Sequence, residues 1–545
     1  MKFGFVIDNR KCIGCHACTV ACKSEHDVPV GVNRTWVKQT EKGTFPNTRR
    51  IFQVSRCNHC TDAPCVSICP TEALHTREDG IVDFNNDRCI GCKSCMQACP
   101  YDALYIDPET NTAAKCNYCA HRTDIGLEPA CVNVCPEHAI ISGDMEDPNT
   151  EISQLLAREQ VKVRKPEKGT KPNVFYIDGD EASLNPTATE RSHEYMWGTQ
   201  TSGVGHYAKY AEQKAEGADL IAMIQELNGH KPSSKEATYG GSNEQETPKK
   251  QVEMIMGDAN PKRVYDTPDK GILWGWEVSA YVLTKAISAG IFLMVVFGSL
   301  LGYQMVETTQ YILGGTSLIF LAATGILLIM DLDRPDRFLY VLLRPQWGSW
   351  LVKGGYSITV FGGMVTAWLA GIFLEIPILE SVGFWGGFAS GVMVAIYTAF
   401  LFAQAKGRDF WQSPSMVFHM FIHSMMAGAA AMMVFSLFTN VDASWMSLAS
   451  YVLVGSLIVN VLVMIVELNI THPTEDAKLV VKMILKGRYS NMFWVGVLSL
   501  TNLLPIVLLL LGIEALLVPA AILSIIGIYL TEKIWVEAPQ RIALS

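Results

Sequence analysis

The chain has 545 residues, of which 49% are hydrophobic and 18% charged, with a formal net charge of −9. That length calls for at least two domains, and no nucleic acid is expected as a partner. The averages conceal two unlike parts, because the sequence is polar up to about residue 270 and strongly apolar afterwards.

The N-terminal part holds all 16 cysteines, in four groups. They are Cys12, Cys15, Cys18 and Cys22; Cys57, Cys60, Cys65 and Cys69; Cys89, Cys92, Cys95 and Cys99; and Cys116, Cys119, Cys131 and Cys135. Groups one and three read C-x2-C-x2-C-x3-C, and groups two to four end in Cys-Pro. This is bacterial ferredoxin spacing, in which three close thiolates wrap one face of a cubane and the fourth reaches a neighbouring cluster. Sixteen ligands predict four [4Fe-4S] clusters. Paired C-x-x-C motifs also build zinc sites, but zinc rarely uses such runs. Disulfides are disfavoured because Met1 to Lys11 offers no secretory signal. Cys12-Ile13-Gly14-Cys15-His16 fits the c-type haem motif, yet Cys18 and Cys22 continue the ferredoxin frame beyond His16. His16 and His59 are then structural or solvent-facing.

The groups repeat in the order A-B-A-B. Arg10-Lys11-Cys12-Ile13-Gly14-Cys15 parallels Asp87-Arg88-Cys89-Ile90-Gly91-Cys92, and Arg56-Cys57-Asn58-His59-Cys60 parallels Lys115-Cys116-Asn117-Tyr118-Cys119. Two ferredoxin-like pairs in one α+β domain are expected. Crossed ligation then assigns Cys12, Cys15 and Cys18 with Cys135; Cys116, Cys119 and Cys131 with Cys22; Cys57, Cys60 and Cys65 with Cys99; and Cys89, Cys92 and Cys95 with Cys69. No ligand position is replaced, which suits electron relay rather than catalysis at iron.

Residues 1–180 form the expected iron-sulfur domain and 181–270 a polar linker, with a helix plausible over Tyr207 to Leu227. Residues 271–545 form the expected all-α membrane domain. Eight apolar stretches, near 278–302, 311–330, 354–374, 384–404, 415–438, 447–467, 491–511 and 514–531, are long enough to cross a hydrocarbon core about 30 Å thick.

Loop charges orient these spans. Arg334, Arg337, Arg344, Lys353, Lys406, Arg408, Lys478, Lys482, Lys486, Arg488, Lys533 and Arg541 lie on the side shared with the N-terminal domain, whereas loops 303–310, 375–383, 439–446 and 512–515 hold no Lys or Arg. The positive-inside rule places both termini and the iron-sulfur domain in the cytoplasm, on an inner-membrane multi-pass protein.

Two resemblances follow from these residues. Residues 1 to about 180, with the cysteine runs, the stretch Gly143 to Asn149 and the stretch Gly169 to Tyr176, resemble the four-cluster electron-transfer subunits of molybdopterin oxidoreductases, the family of dimethyl sulfoxide reductase, polysulfide reductase and formate dehydrogenase beta subunits. From about residue 264 the chain resembles the NrfD/polysulfide reductase membrane subunit, through Trp274-Gly275-Trp276-Glu277, Tyr281, the stretch Lys285 to Gly290 and the stretch Asp331 to Phe338. The two parts are commonly separate subunits, so their fusion departs from the family pattern. The resemblance implies two four-helix bundles, a quinone site (menaquinone or ubiquinone) near the face meeting the iron-sulfur part, and a molybdopterin-type catalytic subunit, or another redox subunit, on a separate polypeptide.

Ionisable residues inside a membrane are costly and mark candidate sites. Glu277, Tyr281 and Lys285, spaced i, i+4 and i+8, share one face of the first span over about 12 Å. They read as a polar wall for quinone oxygens and protons, or as an interhelical ion pair. His419 and His423 form a second i, i+4 pair that titrates in a useful range, holds a haem, or is packed and hydrogen-bonded. Asp331, Asp333, Arg334, Asp336 and Arg337 crowd the end of the second span, where Asp331 and Arg334 are catalytic candidates or the whole set is a salt-bridge cluster closing the span before Pro335. Glu467 and His472 are weaker candidates. Asn460, Tyr397 and Thr501 make a thin path across the opposite half, so quinone chemistry ranks above proton pumping and above a passive membrane anchor.

Overall fold

The computed structural model describes residues 1–44, 47–189, 261–438 and 441–545. The chain divides into one unit of Met1–Leu273 with Gln540–Ser545 and a second of Trp274–Pro539.

The first unit is built on a four-stranded sheet and a three-stranded sheet. β1 (Phe3–Asp8), β8 (Ile140–Asp144), β9 (Val161–Lys162) and β10 (Val174–Ile177) form the first, in the order β8-β1-β10-β9. β1 runs parallel to β10, with Phe5 opposite Val174, and antiparallel to β8, with Val6 opposite Ile141. Phe5, Val6 and Ile7 are buried, so β1 is the covered centre of the sheet and reads as a continuous apolar run. The second sheet contains β2 (Thr35–Thr44), β3 (Asn47–Arg56) and β11 (Lys262–Tyr265), in the order β11-β2-β3. Two hairpins, β4 (Leu74–Thr76) with β5 (Val82–Phe84) and β6 (Leu104–Ile106) with β7 (Ala113–Lys115), complete the strands among the described residues.

Short helices carry the cysteines: α1 (Ala17–Glu25) has Cys18 and Cys22, α2 (Pro64–Ile68) has Cys65, α3 (Ser94–Ala98) has Cys95, and α5 (Ala130–Asn133) has Cys131, with α4 (Ala120–Thr123) following Cys119. α6 (Glu151–Arg158) is capped by Thr150, whose side chain accepts from the Ser153 N–H, and covers the sheet through Ile152.

The stretch 181–270 is not linker at its ends. α7 (Glu181–Leu184) packs its Leu184 into the core, and β11 extends the β2–β3 hairpin. Arg263 in β11 is fully buried, pairing with Asp266 at 2.9 Å and donating to the Pro186 carbonyl at 2.7 Å, while Asp266 accepts from Trp36 Nε1 at 2.8 Å. Polar residues satisfied internally look like linker in sequence, because hydropathy cannot see their partners. The helix expected over Tyr207 to Leu227 lies outside the described residues.

Among the described residues, the second unit contains eight helices long and apolar enough to cross a membrane. They are α8 (Trp276–Leu300), α9 (Glu307–Met330), α10 (Trp350–Phe373), α11 (Pro377–Gln404), α12 (Ser415–Phe435), α13 (Ala443–Asn469), α14 (Met492–Leu510) and α15 (Glu514–Gln540). α8 packs on α9, α11 and α12, α10 on α11, and α12 on α13, so α8 and α12 are the innermost helices. Their spanning windows are 78% and 67% buried, against 28% for α10. The eighth span continues to Gln540 rather than closing at residue 531. Glu532 and Lys533 resemble a span end in sequence, but the helix is carried on by Ile534, Trp535 and Val536, all fully buried.

Candidate iron-sulfur centres and membrane-embedded site

The A-B-A-B repeat is present in the backbone. Gly14 and Gly91 both have φ of 69°, and the residues after the second cysteine of each run, His16 and Lys93, have φ of 62° and 58°. His59 and Tyr118, which precede the second cysteine of groups two and four and correspond to each other, are also left-handed. These positive φ values turn each loop so that its cysteines converge. Around Gly14 the space is closed as well, since a Cβ there would overlap the ring of Phe52.

Cys12, Cys15, Cys18 and Cys135 line one cavity, and Cys69, Cys89, Cys92 and Cys95 line another. Cys57, Cys60, Cys65 and Cys99 lie within electrostatic range of one another, as do Cys22, Cys116, Cys119 and Cys131. The backbone supplies N–H groups to sulfur, from Ala139 to Cys135 at 3.2 Å, from Ala113 to Cys89 at 3.3 Å and from Leu74 to Cys69 at 3.5 Å. Arg56 Nη1 donates to Cys131 Sγ at 3.2 Å, and His26 Nε2 stands 3.2 Å from Cys119 Sγ. Burial pushes the Cys18, Cys92 and Cys116 thiols up to about 12, so these thiolates need a cationic partner such as iron. Four convergent sulfurs with N–H···S support fit a [4Fe-4S] cluster.

Neither histidine in these loops is placed as a haem ligand. His16 Nε2 lies 2.8 Å from Gln39 Nε2 with its ring against Tyr265, and His59 Nδ1 accepts from the Val82 N–H at 3.2 Å.

In the second unit, Tyr281 and Lys285 are buried together on α8. Lys285 Nζ donates to Thr398 Oγ1 at 2.7 Å and to the Ala395 carbonyl at 3.2 Å, and stands 4.9 Å from the Tyr397 ring centre, all on α11. Glu277 is half-buried in the first turn of α8 and makes no hydrogen bond or ion pair among the described residues. Asp331 caps α9 within electrostatic range of Tyr281. Arg334 forks onto Asp336 with two contacts of 2.9 Å, which holds the Asp336 carboxyl below its usual range. It belongs to the charged turn after α9 rather than to the buried group.

His419 and His423, on α12, meet two carboxylates. His423 Nδ1 is 2.7 Å from Glu532 Oε1, while His419 stands 3.5 Å from both Glu532 Oε1 and Glu467 Oε2. All four side chains are at most 1% exposed. Glu467 Oε2 accepts from Trp535 Nε1 at 3.1 Å, and the Trp535 ring lies 5.4 Å from that of His419. His423 Nε2 is 3.1 Å from Asn460 Oδ1, and Asn460 donates to Asn502 on α14 at 3.0 Å. Glu532 also lies within electrostatic range of Lys285 and Tyr281, bringing residues of α8, α12, α13 and α15 to one locus.

Glu532 is the residue the sequence reading missed. Its one available signal was helical spacing: the buried sequence Ile528, Thr531, Glu532, Trp535 recurs at i, i+3, i+4 and i+7.

Similarity to known proteins agrees with this architecture. Descriptions of a 4Fe-4S dicluster domain match residues 11–74 and 48–145, and that of polysulphide reductase NrfD matches residues 267–536. A subunit of tetrathionate reductase from Salmonella typhimurium is 46% identical over 200 residues, covering 36% of this chain and 80% of that protein. A component of polysulfide reductase from Wolinella succinogenes is 45% identical over 188 residues, 34% of this chain and 97% of the relative. Protein NrfC of Escherichia coli is 43% identical over 181 residues, 32% of this chain and 81% of the relative. The relatives are accounted for over most of their length by the cysteine-bearing part and the NrfD description spans the apolar helices, so this protein belongs to the family of iron-sulfur electron-transfer subunits of such reductases, continued in the same polypeptide by an NrfD-type membrane domain.

Proposed function

We propose that this protein passes electrons between a catalytic partner subunit of molybdopterin type and a membrane quinone, menaquinone or ubiquinone. The sixteen cysteines would hold four [4Fe-4S] clusters in the crossed pairing given above, each supplying one-electron transfer when bound. Among the ligands Cys15 is exposed, and Ile13 and Val134, beside Cys12 and Cys135, are 56% and 41% exposed. An exposed ligand flanked by apolar surface suits the point where a redox partner docks.

The observation that carries the quinone half is the convergence of Tyr281, Lys285, His419, His423, Glu467 and Glu532 in the interior of the second unit. A passive anchor gains nothing from burying these groups, and each is costly in a membrane. Reducing one quinone takes two electrons and two protons, and the reverse reaction releases them. Lys285 and Tyr281 supply donors for the carbonyl oxygens, and the histidine-carboxylate group supplies or takes protons. The basic loops support an orientation with the iron-sulfur unit in the cytoplasm of a cell whose inner membrane holds the helices.

Lys285→Gln in the assembled complex tests this reading. Quinone-linked electron transfer is expected to fall by about 10²-fold or more, with iron content and cluster EPR unchanged. Unchanged turnover with intact clusters would return the helices to the role of an anchor.

A further inference from the structure

Hydrogen-bond direction counts the protons in the second unit's buried centre. Asn502 Nδ2 donates to the Val497 carbonyl at 2.8 Å. A carbonyl only accepts, so this contact fixes the amide and turns Asn502 Oδ1 toward Asn460, whose Nδ2 donates to it at 3.0 Å. Asn460 Oδ1 therefore faces His423 Nε2, 3.1 Å away, and that nitrogen carries hydrogen. The other ring nitrogen, Nδ1, is 2.7 Å from Glu532 Oε1. If His423 were neutral and Glu532 ionised, two lone pairs would face each other at a distance characteristic of a charge-assisted hydrogen bond.

We propose that one additional proton is held between His423 Nδ1 and Glu532 Oε1, and that Asn460 and Asn502 are positioning residues that lock it there by fixing the histidine tautomer. Two carboxylates, Glu467 and Glu532, are buried with one ammonium, Lys285, so an added proton on the pair lowers the net charge that burial must carry. The groups facing this pair are His419 on α12, Glu467 on α13, the uncharged Asn502 on α14, and Lys285 and Tyr281 on α8. Exchange runs through His419, which stands 3.5 Å from each carboxylate and whose two ring nitrogens make no hydrogen bond. The amide chain donates away from the pair and ends on a backbone carbonyl, so it closes that side to proton transfer.

A divalent metal on His419, His423 and Glu532 is the competing occupant. Two tetrahedral ligands at about 2.0–2.1 Å from zinc stand about 3.3 Å apart, whereas the 2.7 Å contact is a hydrogen-bond distance. Use of the proton in quinone chemistry rests on the function proposed above, whereas the proton count does not.

The test therefore reads the count without turnover. Infrared difference spectra of the oxidised full-length protein, titrated with pH in H2O and 2H2O, are expected to show one deuterium-sensitive carboxylic acid or imidazolium signature persisting at neutral pH. Glu532→Gln should abolish it. Asn460→Leu should abolish it as well, because His423, freed from its acceptor, then needs a single hydrogen on Nδ1 facing an ionised Glu532. Iron content and thermal melting check that each variant is folded. A wild-type spectrum without the signature, retention of it in Asn460→Leu, or a stoichiometric divalent metal lost in Glu532→Gln would each overturn the proposal.

Discussion

At the scale of single residues, the cysteines were legible because cluster ligation is local: three ligands of each set fall within a few turns of the polypeptide, and the spacing itself encodes the chemistry. The charges around them were not legible. Arg56 reads as an ordinary residue before Cys57, yet it is fully buried, donates to Cys131 Sγ and stands 4.4 Å from the Phe5 ring centre. It also acts electrostatically on Cys18 and Cys116, ligand candidates of two different clusters. A buried cation stabilises the more negative, reduced state of a nearby cluster. Arg56→Met is therefore expected to lower the potentials of the clusters proposed on Cys18 and on Cys131, by on the order of 100 mV at about 5 Å and an effective dielectric constant of about 20. Potentiometric EPR of the purified protein measures it, with the cluster proposed on Cys69, Cys89, Cys92 and Cys95 unmoved as the internal control. In the membrane, His419 and His423 were visible as an i, i+4 pair, but their partners Glu467 and Glu532 come from the far ends of two other helices. No spacing rule connects residues 419, 467 and 532.

Elements were read correctly in kind wherever their pattern was long and periodic, and less well where tertiary contacts set their limits. All eight spans were found from length and hydropathy, with ends displaced by up to nine residues at α15. β11 escaped notice because only its pairing with β2 makes it a strand. α14 begins as a π-helix over Met492–Leu503 before Pro505, whose ring cannot accommodate the carbonyl four residues earlier, and this wider winding carries Asn502, at most 1% exposed, to Asn460. Helix crossings are decided by small residues. Gly290 on α8 and Gly428 on α12 face each other so closely that a Cβ on Gly290 would lie 2.7 Å from the Gly428 nitrogen and inside the Ser424 carbonyl. Gly290→Ala must separate the two innermost helices and is expected to cost about 1–3 kcal/mol, seen as earlier thermal unfolding of the detergent-solubilised protein. Gly455→Ala, where a Cβ meets nothing within 4 Å, is the matched control.

For the whole molecule, the last residues, Gln540–Ser545, belong to the first unit. Gln540 Oε1 accepts from Gln97 Nε2 and from the Leu273 N–H, Arg164 Nη2 donates to the Leu544 carbonyl at 3.0 Å, and Ile542, Ala543 and Leu544 are buried. Removing residues 541–545 would expose this apolar surface and strip a buried guanidinium of one acceptor. The expected loss is on the order of 2–4 kcal/mol, read as cluster absorbance disappearing at lower temperature than in the intact protein.

The sequence by itself determined the cofactor class, the cysteine groups, the eight spans and the fusion of a ferredoxin-like part with an NrfD-type part. Each depends on residues close together along the polypeptide or on composition over a helix length. Only the tertiary structure decided which buried charges meet. Lys285, His423, Glu467 and Glu532 lie on four helices, and their electrostatic balance exists only when those helices pack. The same holds for Arg56, whose acceptor Cys131 is distant in sequence, and in part for Arg263, which is neutralised by the nearby Asp266 but also needs the distant Pro186 carbonyl.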